Sequence, residues 1–354
     1  MQFEALSFHQ QILVRAASII WSFFVCTCGF NSIVSAQSMM VATLRPEKIA
    51  SGFQQPEGPL WIDSLGLIVS DIKASTIYRW SPADSAVRIF LHPSDSSNGL
   101  TLDRQGRLVL TQMGLRRIAR RETNGAIIPL ASAYQGKRFN SPNDIVVKSD
   151  GSIFFTDPDF NIPAGQQAQL SFRGIFCLSP SGVLRMLDST LDKPNGICFS
   201  PDEKKLFVND SHKCQIYVWT VVGDTAIIGK SLFYTLPASG YAGGMKMDSA
   251  GILYCTGPGG VWMVSSSGTL LGMIDMTETP SNCAWGDADR NTLYVTAGAS
   301  LYRIKMSVTG IGDGIVSAIP IQCELYSVEC NLNVERCLFC TCERNESIGH
   351  TKTQ

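Results

Sequence analysis

Short apolar segments separated by turns recur in the same order six times along this chain. Each unit opens with a turn, a polar residue or glycine, and an apolar strand, as in Pro194-Asn195-Gly196-Ile197. A second apolar run follows, as in 205–210, and then a third, as in 216–219. Apolar runs of this length bounded by turn residues predict β-strands. We therefore predict an all-β chain with three recognisable strands in each unit.

The six units have similar lengths. Their opening residues lie between 39 and 52 residues apart. A repeat of this size with several strands per copy is the sequence signature of a β-propeller, in which every copy forms one blade. We predict a six-bladed β-propeller over residues 37–310. Its opening residues are Glu57, Asn98, Asn143, Asn195, Gly243 and Asn282.

The two ends of the repeat region complement each other. Residues 46–53 include a short strand ahead of the first unit, whereas the last unit ends at 301–306 with one strand too few. Closed propellers often complete their last blade with a strand from the N-terminus. We predict that 46–53 pairs beside 301–306 and closes the ring.

The opening residues are also the first candidate site. In a propeller the innermost strands all start at the same end of the central channel, so these positions are expected to converge on the axis. They supply one carboxylate and four carboxamides. Oxygen groups suit a hard cation, with Ca²⁺ the first expectation and Mg²⁺ or Mn²⁺ behind it. The alternative is ordinary turn chemistry of Asn at a strand start, which explains single positions but not their alignment.

Composition and charge exclude several function classes. The 354 residues carry a formal net charge of −1, which gives no argument for binding nucleic acid or a membrane surface. The chain has no Gly-x-Ser-x-Gly elbow and no His-Glu-x-x-His sequence, which disfavours serine-triad hydrolases and zincin proteases.

Both ends of the chain differ from the repeat. Residues 1–36 are predicted to be a signal peptide, because an apolar run after Arg15 is followed by the small-residue site Val34-Ser35-Ala36. The run is too short for a confident membrane span, so a secreted or periplasmic protein is predicted rather than an anchored one, with no stable membrane insertion after removal of the signal. Residues 311–354 are a Cys-rich tail that we predict to be disordered, the alternative being a Zn²⁺ knuckle with His350.

The cysteines inside the repeats have a different pattern. They lie mostly in apolar runs, so they are predicted to be buried small hydrophobic residues rather than a disulfide framework. They are Cys177, Cys198, Cys214, Cys255 and Cys283.

Several motifs resemble one known family. The longest is 134–158, and the others include Glu57-Gly58-Pro59 and Thr256-Gly-Pro-Gly-Gly-Val-Trp262. Together they resemble the gluconolactonase branch of the SMP-30/gluconolactonase/luciferin-regenerating-enzyme family over about residues 45–310. The resemblance implies a six-bladed propeller with a divalent metal, commonly Ca²⁺ or Zn²⁺, in the channel. It implies hydrolysis of sugar lactones or other esters there, with Glu57, Asn143 and Asn195 matching metal ligands.

The sequence also departs from that family. The family's metal-binding Asp, which is also the usual candidate for its base or nucleophile, belongs to an Asp-Gly-Met phrase that here reads Gly243-Gly244-Met245. Ser141 stands where some relatives use a substrate-binding Arg, and Arg138 is close enough in sequence to replace it.

The resemblance implies a mechanism. A divalent cation in the channel would polarise the lactone carbonyl and activate water, while a nearby carboxylate takes the water's proton. With Glu57 expected to be a ligand, Asp144 and Asp210 are the candidate bases, although either could instead stabilise a turn. Asn98, Arg138 and Asn143 are the candidate substrate-binding residues.

Three functions follow from these residues. The first is a metal-dependent hydrolase that opens small-molecule sugar lactones. The second is a catalytically impaired propeller acting as a binding module, because Gly243 lacks the expected carboxylate. The third is an arylesterase or phosphotriesterase on the same scaffold. The physiological substrate, the identity of the metal and the oligomeric state stay open at this point.

Overall fold

The computed structural model describes residues 44–223 and 225–312. The predicted signal peptide lies outside the described residues, and so does the predicted disordered tail apart from its first two residues, so these two assignments stay predictions. Across the described ranges, no helix has the length and apolar character needed to cross a membrane.

The described chain is all-β and forms a six-bladed propeller, as predicted. Six four-stranded antiparallel sheets follow one another, and a separate two-stranded ribbon lies between the second and third sheets. The first strands of neighbouring sheets contact each other in sequence around the ring, which makes them the innermost strands. Each blade has a fourth, outer strand, which the sequence pattern did not reveal in blades 1 to 5.

The strands are assigned to blades in chain order. Blade 1 contains β2 (Pro56–Ile62), β3 (Gly66–Asp71), β4 (Thr76–Trp80) and β5 (Val87–Leu91), and blade 2 contains β6 (Ser97–Leu102), β7 (Leu108–Gln112), β8 (Arg117–Arg121) and β9 (Ile127–Ala131). The ribbon is β10 (Ala133–Tyr134) with β11 (Lys137–Arg138). Blade 3 contains β12 (Ile145–Val147), β13 (Ile153–Asp157), β14 (Gly174–Leu178) and β15 (Leu184–Asp188), and blade 4 contains β16 (Pro194–Phe199), β17 (Lys205–Asp210), β18 (Gln215–Val222) and β19 (Ala226–Thr235). Blade 5 contains β20 (Met245–Met247), β21 (Leu253–Gly257), β22 (Gly260–Val264) and β23 (Leu270–Asp275), and blade 6 contains β24 (Pro280–Gly286), β25 (Thr292–Ala297), β26 (Ser300–Lys305) and β1 (Glu47–Ser51).

The predicted closure of the ring is confirmed. Strand β1 is antiparallel to β26, with Glu47 opposite Arg303 and Ser51 opposite Ser300. The Arg303 guanidinium also donates to the Glu47 carboxylate, with Nε 2.7 Å from Oε2. The last blade therefore joins both ends of the propeller, and β26 is paired on both sides instead of being an edge strand.

The hydrophobic core is divided among the blade interfaces. Six clusters of buried residues occur, and each fills the wedge between two neighbouring blades. At the seam between blades 6 and 1, Trp61 stacks on Tyr294 with ring centroids 5.3 Å apart. Large apolar side chains buried in this way each contribute about 1.5–3 kcal/mol. All five cysteines in the described repeats are buried thiols that form no disulfide framework, as predicted.

A hydrogen-bond relay connects the inner ends of the blades. In blades 1 to 5, a polar side chain near the end of the second strand donates to the backbone carbonyl at the opening of the next blade. Blade 6 differs, because Ser281 in its first strand donates to the carbonyl of Pro56, the residue before Glu57. This relay sets the register of every innermost strand against its neighbour. Its bonds are Ser70 Oγ to Asn98 O (2.8 Å), Thr111 Oγ1 to Asn143 O (2.9 Å), Thr156 Oγ1 to Asn195 O (2.8 Å), Asn209 Nδ2 to Gly243 O (2.6 Å), Thr256 Oγ1 to Ser281 O (2.9 Å) and Ser281 Oγ to Pro56 O (2.8 Å).

Candidate active site

The relay shows which residues occupy equivalent positions at the channel end. In blades 2 to 5 these are the predicted residues, but in blade 6 the relay reaches Ser281 rather than Asn282. The prediction for Asn282 was therefore wrong by one residue. The ring consists of Glu57, Asn98, Asn143, Asn195, Gly243 and Ser281.

The position after each ring residue is unusual in two blades. Four blades have glycine there: Gly58, Gly99, Gly196 and Gly244. Blades 3 and 6 have Asp144 and Asn282, whose Oδ1 atoms accept the next backbone N–H at 2.9 and 2.8 Å. These two side chains lie over the glycines of the preceding blades, since a Cβ on Gly99 would come within 3.1 Å of Asp144 Oδ1 and a Cβ on Gly244 within 1.8 Å of Asn282 Oδ1.

Two carboxylates interact at this end of the channel. The pKa of Glu57 is raised to about 7, mainly by burial and to a smaller extent by the charge of Asp144, while hydrogen bonds from Gly58 N–H and the Asn282 side chain oppose the rise. Asp144 is only 2% exposed, and its Oδ2 accepts a hydrogen bond from Ile197 N at 3.3 Å. Blades 1 and 3 therefore bring together two acids, and blade 6 adds Asn282 beside one of them.

The three ring asparagines have backbones fixed by the relay and carboxamides in different surroundings. Asn98 donates from Nδ2 to Met113 Sδ at 3.7 Å, and its buried Oδ1 has no hydrogen-bond partner in the described part of the chain. Asn143 is buried, at 6% exposure. Asn195 is half-buried, and its Nδ2 donates to Ala242 O at 3.2 Å. The roles predicted for these residues in metal or substrate binding stay predictions.

Asp210 belongs to a structural motif that occurs three times. Its oxygens accept backbone N–H bonds from the loop before Asn195, and Lys213 Nζ lies 3.2 Å from Oδ2. These contacts favour the turn-stabilising alternative over the predicted role as base. The three clamps are Asp71 with Gln54 N and Gln55 N, Asp157 with Asn140 N and Ser141 N, and Asp210 with Asp192 N and Lys193 N.

Gly243 leaves one side of the ring without a side chain. The backbone there is tightly enclosed, because a Cβ at this position would lie 2.1 Å from Ser281 O and 2.6 Å from Thr256 Oγ1. Ser281 O is backbone and is already held by the relay, so it cannot move away easily. At the position where the resembling family has Asp, the surrounding backbone is thus packed too closely to hold any side chain larger than that of glycine.

Arg138 lies on the ribbon between blades 2 and 3, and its contacts are with loop residues rather than with the ring. Its Nη2 donates to Leu115 O at 2.8 Å, and its backbone N–H donates to Gln169 Oε1 at 2.8 Å. Its charge acts on the buried Arg116, whose pKa is lowered first by desolvation and then by Arg138. Its predicted contact with substrate stays a prediction.

The donor atoms fit a hard divalent cation better than a soft one. No cluster of three or more His, Cys, Asp or Glu suited to a metal occurs within the described ranges. The available donors are instead the two interacting carboxylates and the neighbouring carboxamides. A carboxyl group whose pKa is raised by burial and by a second acid is stabilised in its charged form by a nearby cation. An all-oxygen set of this kind suits Ca²⁺ or Mg²⁺ rather than Zn²⁺.

Sequence reasoning missed an aromatic group at the mouth of the channel. Phe160, His212 and Tyr241, here called the aromatic rim, come from three separate loops. The His212 ring lies 5.9 Å from that of Phe160 and 4.9 Å from that of Tyr241, centroid to centroid. No spacing in the sequence connects these residues, although His212 and Tyr241 each lie close to a residue of the repeat motif.

Comparisons with known proteins agree with this architecture. A gluconolactonase of Zymomonas mobilis is 31% identical over 294 residues, covering 75% of this chain and 82% of that protein. Pentonolactonase XacC of Haloferax volcanii is 24% identical over 282 residues, covering 72% and 91%. The solved structure of gluconolactonase XC5397 from Xanthomonas campestris matches with a TM-score of 0.71 and 31% identity, covering 76% of this chain and 92% of that one.

The family model extends over most of the propeller. It is described as the SMP-30/Gluconolactonase/LRE-like region, and it matches residues 55–299. The match begins two residues before Glu57 and ends inside the last blade, so it includes all six ring positions. This chain is a member of the SMP-30/gluconolactonase/LRE-like family.

Proposed function

We propose that this protein is a hydrolase that opens sugar lactones at the ring end of its channel. The observation that carries the proposal is the pair of acids, Glu57 and Asp144, which lie close enough at the ring for the charge of Asp144 to raise the pKa of Glu57. Gluconolactonase and pentonolactonase relatives in the same family support a lactone as the substrate class.

Asp144 is the proposed general base. It stands where four other blades have glycine, and the bond from Ile145 N holds its carboxylate in one orientation. A water molecule adds to the lactone carbonyl carbon while Asp144 accepts its proton. The ester C–O bond then breaks, and the proton passes to the departing ring oxygen. The product is the open-chain hydroxy acid.

The asparagines are proposed to orient the lactone. The buried Asn98 Oδ1, which lacks a partner among the described residues, is available to accept a hydrogen bond from a substrate hydroxyl. Asn143 lies in the next blade with its backbone fixed at both N and O, by bonds to Thr156 O and from Thr111 Oγ1. Fixed carboxamides position a polyhydroxylated ring at little entropic cost.

We propose that Glu57, Asn143 and Asn195 hold a divalent cation, with Ca²⁺ before Mg²⁺, Mn²⁺ or Zn²⁺. When bound, such a cation supplies positive charge for the oxyanion that develops on the carbonyl oxygen. Asp144 is close enough for its charge to raise the pKa of Glu57, so it would add to the attraction for the cation.

A binding module without catalysis is the second candidate, and the enclosed glycine at position 243 favours it. In that case the ring would hold a ligand but lack the carboxylate that relatives supply at this position. The two candidates differ in turnover rather than in ligand binding.

The test is hydrolysis of glucono-1,5-lactone above the spontaneous rate by the purified protein, with EDTA and after addition of Ca²⁺, Mg²⁺, Mn²⁺ or Zn²⁺. We expect turnover that EDTA abolishes and one of these ions restores, and loss of turnover in Glu57→Gln. Asp202→Asn, in an exposed turn, is the matched control and should retain activity. Binding of gluconate without turnover of any lactone would establish the binding module instead, and turnover of aryl esters alone would establish an arylesterase.

We also propose that the protein is exported, on the basis of the signal peptide predicted for residues 1–36. N-terminal sequencing of the protein from its native host tests this. A mature terminus near Gln37 is expected, and an intact Met1 would contradict export.

A further inference from the structure

The aromatic rim consists of three loop residues whose rings contact one another at the channel mouth. The His212 ring is tilted by 51° to Phe160 and by 57° to Tyr241. His212 is exposed, and Tyr241 keeps 66% of its surface accessible. His212 and Tyr241 therefore offer apolar ring surface to a ligand, whereas Phe160 is half-buried and has Lys193 Nζ 5.5 Å from its ring centroid.

Each rim residue is adjacent in sequence to a residue that is hydrogen-bonded to a ring carboxamide, either directly or through one intervening group. Ser211, next to His212, donates from Oγ to Ala242 O at 2.6 Å, and Ala242 is next to Tyr241. Ala242 O also accepts the bond from Asn195 Nδ2. His212 and Tyr241 of the aromatic rim thus lie beside Asn195, on one side of the site.

Phe160 is connected to the opposite side of the site. Its neighbour Asn161 donates from Nδ2 to Met113 Sδ at 3.5 Å, the same sulfur atom that accepts from Asn98. Asn161 N also donates to Ser141 Oγ at 3.2 Å. The aromatic rim therefore begins beside the carboxamides proposed to hold the lactone and extends outward over blades 4 and 5.

The part of the ring below Tyr241 has no side chain. Gly243 is the ring residue that follows Tyr241 and Ala242 in the chain, and its backbone has closed against Ser281. A substituent on a lactone held by Asn98 and Asn143 can leave the ring over this edge without meeting a side chain from position 243. It would then pass along the aromatic rim.

We propose that the substrate is a glycosylated aldonolactone, with the lactone at the ring and a second sugar stacked on the aromatic rim. The inference rests on the proposed function. Carboxamides bind hydroxyl groups and aromatic faces bind the apolar C–H faces of a pyranose, so the two adjoining surfaces match the two parts of such a molecule. A single sugar lactone at the ring would leave Tyr241 unused. Oxidation of the reducing end of a disaccharide is the class of reaction that supplies this substrate.

The experiment compares lactobiono-1,5-lactone with glucono-1,5-lactone, using initial rates for the natural protein, His212→Ala and Tyr241→Ala. We expect kcat/KM to be about tenfold higher for the disaccharide lactone. In each variant, kcat/KM should fall about fivefold for the disaccharide lactone and less than twofold for glucono-1,5-lactone. Leu232→Ala, which removes an exposed apolar side chain from the outer strand β19, is the control and should change neither rate.

Binding of the products separates this inference from the proposed function. Lactobionate should bind at least fivefold more tightly than gluconate by calorimetry, and Tyr241→Ala should remove the difference. If no lactone is hydrolysed but this difference is found, the proposed function fails and the ligand class stands. Equal kcat/KM for the two lactones, or equal losses on both in the variants, would overturn the inference. So would a dependence on the aromatic rim that appears only with the aryl lactone dihydrocoumarin.

Discussion

Two buried aspartates, Asp144 and Asp210, were predicted as alternatives for the same role, and their surroundings differ. Both accept two backbone N–H bonds, but those of Asp210 come from the loop before its blade, in the same way as for Asp71 and Asp157. Those of Asp144 come instead from Ile145 and Ile197 in two inner strands. Asp144 occupies a position that four blades give to glycine, and its charge acts on Glu57. An acid that the repeat needs in several blades is explained by the fold. An acid found in only one blade requires another explanation, and this supports Asp144 as the functional residue.

If Asp144 is the catalytic aspartate of the two, the largest loss of activity is expected for Asp144→Asn. The variant side chain keeps an oxygen for the bond from Ile145 N, as Asn282 does naturally for Cys283 N, so the fold should survive. Without a proton acceptor, kcat on the lactone should fall about a thousandfold. Steady-state kinetics and thermal unfolding measure the two effects. A variant that unfolds earlier but keeps its kcat would place Asp144 with Asp210 among the structural residues.

The second prediction concerns the pH dependence of stability in EDTA. The pKa of Glu57 is raised from 4.5 to about 7, so the folded state holds this proton over a range in which the unfolded state has lost it. The free energy of unfolding should therefore fall as pH rises from about 4.5 to 7, by about 3 kcal/mol from this group.

Glu57→Gln isolates this contribution, because other titrating groups cancel when the two proteins are compared. Urea unfolding at several pH values should show that the free energy of unfolding of the variant rises relative to that of the natural protein as pH rises. Added Ca²⁺ at pH 8 should raise the free energy of unfolding of the natural protein and leave that of the variant unchanged. Parallel pH profiles for the two proteins would be inconsistent with a raised Glu57 pKa.

The third prediction addresses the repeated clamp. Asp210→Ala leaves the N–H groups of Asp192 and Lys193 without their acceptor, which should cost about 2–3 kcal/mol of stability. Asp71→Ala should cost a similar amount, because its geometry is the same. The kcat of the folded protein should change less than threefold in both. A hundredfold loss of kcat in Asp210→Ala alone would make Asp210 catalytic.

The smallest effect on turnover is expected at Gly243. Even Gly243→Ala places a Cβ 2.1 Å from Ser281 O, and because that carbonyl is backbone, the substitution should destabilise the protein by about 3 kcal/mol. Gly243→Asp should be at least as unstable and should not increase lactone turnover, since its carboxylate cannot enter without moving the relay. An increase in metal affinity and turnover in Gly243→Asp would show that the ring opens easily at blade 5.

The architecture could be predicted from the sequence because the repeat shows both the spacing of the strands and the positions of the turn residues. Six blades and the pairing of residues 46–53 with 301–306 followed directly from it. The residue that occupies the ring position in each blade could not be read from the repeat in every case. In blade 6 the Asn lies one residue later than in blades 2 to 4, and only the hydrogen bond from Thr256 to Ser281 O identifies the equivalent residue.

Other parts of the site had no local signal in the sequence. The structural role of Asp210 depends on backbone groups 17 and 18 residues away, whose positions are known only once the loop has folded. The aromatic rim joins three loops, and a pattern that compares equivalent positions does not detect residues that differ between blades. The interaction between Glu57 and Asp144 likewise arises from closure of the ring across two blades.

The bond from Ser281 Oγ to Pro56 O joins residues that are 225 positions apart in the chain. Asn282 reaches Glu57 across the same seam, which β1 and β26 hold together. During synthesis, almost the whole propeller is therefore made after Glu57 and before its partners in blade 6. A nascent chain stopped after blade 5 lacks Ser281 and Asn282, so the site first becomes complete when the last blade is made.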